Sequence, residues 1–181
     1  MKIIGKNSIL YWLRIPFLIY SAGFILMSIW IFILIGTYSI TDKTNQFISK
    51  SYLENSDIES VKFHYPLLKM TLSTEDSFEG IGIAFLGLLS ICFILYMAIQ
   101  IVNQLSKDNI FVGNAVKYLK ILGYGTLVFG VLQLVFDITV TPKKYDFTSP
   151  FFLTLTGTVL LLIKEIFVKG KSIQEENDLT I

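Results

Sequence analysis

The chain has 181 residues, 53% of them hydrophobic and 16% charged, with a formal net charge of +1 at pH 7. That balance offers no broad basic surface, which argues against direct nucleic-acid binding. The apolar residues fall in continuous runs instead of one stripe per helix, which argues against an ordinary soluble core.

Lys2, Lys6 and Arg14 precede the first apolar run, as they would in a secretory signal. The run is too long for a signal core, contains Trp30 and leads into three more, so it reads as an uncleaved anchor. A helix rises about 1.5 Å per residue and the hydrocarbon core is about 30 Å thick, so about 20 apolar residues make a crossing. Four segments meet that length, at about 15–36, 80–103, 118–140 and 149–168. The expected fold is therefore an all-α membrane protein of one domain, four transmembrane helices in an antiparallel bundle with a small irregular or α/β outer loop.

That loop, 37–79, is near the lower size limit for a unit that stands alone and has no cysteine to staple it, so it must lean on the helix ends or the lipid surface. Residues 42–53 suit a short helix along the membrane. Partial alternation over 61–72 suits two short strands or an irregular hairpin. His64, the only histidine, has no companions for a metal site or a pH switch. Cys92, the only cysteine, falls mid-span as a small apolar residue.

Between the second and third spans Asn114 is placed to cap a helix, with Phe111, Val112, Val116 and Leu119 against the bilayer or under the bundle. On the third span Thr126, Gly130, Gln133 and Asp137 are four, three and four residues apart and share one face. Thr126 and Gly130, with Gly157 on the fourth span, are candidates for close helix packing. Gln133 and Asp137 form a candidate polar intramembrane site; alternatively, Asp137 is an interfacial carboxylate that reaches water or pairs with Lys143 or Lys144. Ser149-Pro150 has the form of a cap followed by proline at the first helical position. Lys164 and Glu165 are expected to snorkel or pair. Beyond Gly170 the chain is polar, and Ser172 with Glu175 has capping-box spacing.

Nine of the fifteen Lys and Arg residues fall in short segments beside the amino end, the second connection and the end of span four. Both termini are therefore expected inside and the long loop outside.

Phe111, Asn114, Leu119 and Gly123 ahead of and within span three, Gly170 after span four, and the ending Gln174-Glu-Glu-Asn-Asp-Leu-Thr-Ile181 resemble the domain of unknown function 2975 family, small bacterial four-span membrane proteins. The resemblance covers the chain from about span one to the last residue, with Ile110 standing where the family pattern leads one to expect proline. It implies no established activity. It does imply a setting in the bacterial cytoplasmic membrane, and a partner in a cytoplasmic helix-turn-helix regulator of the Xre type. Glu175, Glu176, Asp178, Leu179 and Ile181 then become the candidate partner-binding tail. From the residues, two functions compete: a non-enzymatic regulatory or sensory membrane protein, and a small transporter or channel using Asp137 and Gln133. No Ser/His, paired-Asp or His/Glu metal cluster argues for an enzyme, and no cofactor is expected. Besides the lipid bilayer and that regulator, a second copy of the chain is a possible partner.

Overall fold

Lipid offers no hydrogen bonds to backbone amides, so uncharged runs of this length must satisfy their own, and they form helices. The computed structural model describes residues 9–52, 59–66, 69–105, 114–140 and 147–178. Its elements in chain order are α1 (Ile9–Thr41), β1 (Ile48–Tyr52), β2 (Glu59–His64), β3 (Thr71–Glu75), α2 (Phe78–Leu105), α3 (Asn114–Val140) and α4 (Thr148–Asp178). The four helices are long and apolar enough to cross a membrane over Tyr11–Thr41, Phe78–Leu105, Asn114–Thr139 and Thr148–Gly170. The chain is an integral membrane protein.

The helices pack in chain order, α1 on α2, α2 on α3 and α3 on α4, and among the described residues α1 and α4 make no comparable contact. Glycines set two of these seams. On α2, a Cβ at Gly82 would strike the ring of Phe136, and on α3 a Cβ at Gly125 would strike the ring of Phe93. Between α3 and α4, a Cβ at Gly130 would lie 2.7 Å from Thr154 Cγ2, and one at Gly157 would lie 2.7 Å from Thr126 Oγ1 and 2.9 Å from the Gly123 carbonyl oxygen.

The loop 37–79 contains a three-stranded antiparallel sheet in the order β1-β2-β3. The surface helix expected over 42–53 does not form, because Ile48 pairs with Phe63 and Lys50 with Val61, giving β1 a buried partner strand. Of the two strands expected over 61–72 the first forms as β2, whereas the second, β3, begins only at Thr71 and runs on to Glu75, past the expected segment, with Phe63 opposite Leu72. Strand alternation divides the sheet: Ile48, Val61 and Phe63 are at most 1% exposed, while Ser51 with Ser60 and Ser49 with His64 hydrogen-bond on the other face.

Two apolar clusters result. One joins the buried sheet face to Ile31, Leu34, Ile35 and Tyr38 of α1 and to Ile81 and Leu88 of α2. The other, toward the far end, gathers Phe93, Met97 and Ile101 of α2, Leu119 and Leu122 of α3, and Leu160, Ile163 and Phe167 of α4. Of the helices, only α2 contributes to both.

The ends of α4 differ from the expectation. The helix starts at Thr148, ahead of Ser149, because the Phe151 N–H bonds back to the Phe147 carbonyl, and Ser149 is left to bond elsewhere. It also runs on to Asp178, so Ser172 does not open a new helix; its hydroxyl donates to the Lys169 carbonyl within the same one. Asn114, expected as a cap, is the first residue of α3.

Candidate functional site

The residues that join α1, the sheet and α2 form a charged junction. α1 ends at Thr41, and the next N–H, that of Asp42, closes on the Tyr38 carbonyl at 2.8 Å. This puts Asp42 at a φ of 50°, the left-handed conformation in which helices commonly end and which aspartate tolerates better than most side chains. α2 begins with Ser77 as its cap, the hydroxyl oxygen accepting the Gly80 N–H at 3.0 Å, which leaves Asp76 just ahead of the helix. Lys50 lies on edge strand β1, on the face turned toward the helices. Its ammonium sits 2.7 Å from Asp76 Oδ2 and 3.1 Å from Asp42 Oδ1, and 5.3 Å from the centre of the Tyr38 ring. Tyr38 Oη donates to Asp76 Oδ1 at 2.6 Å.

Three side chains, Tyr38 from α1 and Asp42 and Asp76 from the residues just after α1 and just before α2, thus meet on one ammonium. The hydrogen bond to Asp76, followed by those to Tyr38 and Asp42, holds the Lys50 ammonium well above its ordinary range. The Lys50 hydrogen bond, and then that of Tyr38, holds the Asp42 carboxyl below its own. The residues from 37 to 79 gave no sign of this junction beyond a carboxylate directly after one helix and another directly before the next.

The polar stripe of α3 lies deeper. Gln133 and Asp137 are 3% and 5% exposed, so Asp137 is a buried carboxylate; Lys143 and Lys144, its expected partners, lie outside the described residues. The Gln133 amide oxygen accepts from the Ser149 hydroxyl of α4 at 2.7 Å. Its nitrogen has no acceptor among the described residues, and it lies 4.0 Å from where a Cβ on Gly87 of α2 would stand. Thr126 is fully buried and bonds only its own helix, at the Leu122 and Gly123 carbonyls, so at the α3–α4 seam it contributes shape and no crossing hydrogen bond.

At the far end Lys164 pairs with its neighbour Glu165. The candidate tail begins on helix: Ile173 and Glu176 are exposed along α4, whereas Leu179 and Ile181 lie outside the described residues, as do the side chains of Glu175 and Asp178 and the residues Phe111 and Val112. His64 bonds Ser49 at 2.9 Å, and among the described residues no three His, Cys, Asp or Glu side chains gather as a metal group.

No curated protein and no solved structure matches the chain. The family model described as "Protein of unknown function (DUF2975)" matches residues 5–181, nearly the whole of it, and the chain belongs to that family.

Proposed function

We propose that the protein is a non-enzymatic membrane sensor that passes a state of its sheet end to a cytoplasmic partner, a helix-turn-helix transcription regulator. It sits in the bacterial cytoplasmic membrane as an antiparallel row of four helices with both termini in the cytoplasm. The observation that supports this is the position of α2. Its entry is held by the Lys50–Asp76 ion pair, its first turns belong to the sheet cluster, and its later turns belong to the cluster with α3 and α4. A shift of the sheet would therefore move α2 against α3 and, through their shared cluster, reach the helix that continues into the tail; α4 at 31 residues spans roughly 46 Å as one rod. The identity of the partner rests on the family resemblance.

The runner-up is a transporter or channel working through Gln133 and Asp137, favoured by the amide nitrogen of Gln133, which has no acceptor among the described residues. Deleting Glu175 to Ile181 removes no membrane-spanning residue, whereas Asp137→Asn removes the buried charge at nearly constant shape. With matched protein levels in the membrane, the sensor reading expects the deletion to abolish control of the partner's promoter and Asp137→Asn to spare it. The opposite pattern would establish the transporter reading. A photocrosslinker at the exposed Ser172 should capture the regulator.

A further inference from the structure

The face of α2 that carries Phe78, Gly82 and Phe85 borders two grooves. One, of about 550 Å³, lies between α1 and α2 below the charged junction, with Phe32 and Gly36 on the opposite wall and Asp42 and Asp76 at its mouth. The other, of about 410 Å³, lies between α2 and α3 and is walled by apolar side chains such as Leu132 and Val135. Phe78, Gly82 and Phe85 belong to both linings, at the i, i+4 and i+7 spacing of one helical face. The two grooves therefore adjoin at α2, with the Phe136 ring seated against Gly82 on the side of the second, and only the first is acidic at one end.

We propose that the first groove binds a single-chain amphiphile with a cationic head, the ammonium held on Asp42 beside Asp76 and the alkyl chain laid along Phe32, Gly36 and Phe85. Charge selects the head. Among the described residues two carboxylates and no cation line the first groove, and Lys50 answers only one of those two negative charges. Lys50 also displays the chemistry of recognition, an ammonium received by carboxylate oxygens and a tyrosine face. Asp42 is the carboxylate with room for a second ammonium, its side chain being 80% exposed against 13% for Asp76. A phospholipid head would bring its phosphate against this acidic mouth, where Lys50 is already engaged by both carboxylates, so the occupant is a free cationic amphiphile and not a bilayer lipid. A long alkyl chain matches a wall built from aromatic and aliphatic side chains.

The site lies on the junction where the proposed signal starts, and it names a ligand for that reading; binding is measured without any transcriptional output, so the two fail separately. The test uses the full chain in phosphatidylcholine nanodiscs with radiolabelled hexadecyltrimethylammonium, subtracting uptake by empty discs. Saturable binding at one site per chain is expected. Asp42→Asn, which keeps the tolerance for the left-handed φ, should weaken it about tenfold or more. Gly36→Leu should block it while leaving the melting temperature unchanged, since a Cβ at Gly36 meets nothing within 4 Å. Hexadecyl sulfate should not compete. Unchanged binding in either variant, equal competition by the sulfate, or displacement of the probe by phosphatidylethanolamine in the discs would overturn the proposal, the last by giving the groove to a lipid head.

Discussion

Asp42 and Lys50 stabilise the folded protein in opposite pH directions. The Asp42 carboxyl is depressed on folding, so its contribution is complete above its unfolded value of about 3.9 and is lost as pH falls through the lower folded one. Lys50 is raised, so its contribution is complete below about 10.4 and is lost as pH rises through the higher folded value. Melting of the wild type relative to Lys50→Met should therefore show a constant advantage between these limits. In Lys50→Met the Asp42 carboxyl loses the main source of its depression, so acidification through the wild-type folded value should shrink that advantage. A difference between the two proteins that does not change with pH would remove the ion pair from the account.

At the α3–α4 seam, the space above Gly130 and Gly157 is already filled by Thr154 and Thr126. Gly130→Ala should destabilise the protein in detergent by about 1 to 3 kcal/mol, the usual range for overpacking. Gly23→Ala, on a stretch of α1 where a Cβ meets nothing within 4 Å, should not. Equal melting temperatures for the two alanine variants would dissolve the seam. The stripe of small residues behind this contact was legible because lipid leaves close approach as the main way for helices to hold each other. The spans were legible for a related reason, since charge is so rare inside a bilayer. β1 was not, because Ile48-Ser-Lys-Ser-Tyr becomes a strand only through its pairing with β2, which local propensity does not encode. The charged junction escaped for the same reason: Tyr38, Lys50 and Asp76 lie far apart in sequence, and only the sheet brings them together. The start of α4 was misplaced by two residues, from Pro150 to Thr148, a shift within the usual fraying of helix ends.

For the molecule as a whole, the proposed orientation has a direct check. Single cysteines at Ser73 on β3 and at Ser172 on α4, both exposed, are placed in a Cys92→Ser background and treated with an impermeant maleimide in intact cells. Position 73 should label and position 172 should stay protected until the membrane is opened; the reverse would invert the protein and with it the cytoplasmic tail. The ring-into-glycine contacts between α2 and α3 also limit how such a molecule can move. Phe93 lies eleven residues beyond Gly82 on α2, and Phe136 eleven beyond Gly125 on α3, so both rings are seated at once and at matching intervals. Sliding α2 lengthwise would unseat both rings together, whereas rocking it about the line between them disturbs neither. The seam is thus a hinge pinned at two points about 16 Å apart, so α2 can swing about the line between them, carrying its sheet end and its other end to the same side together, but cannot tilt or slide against α3.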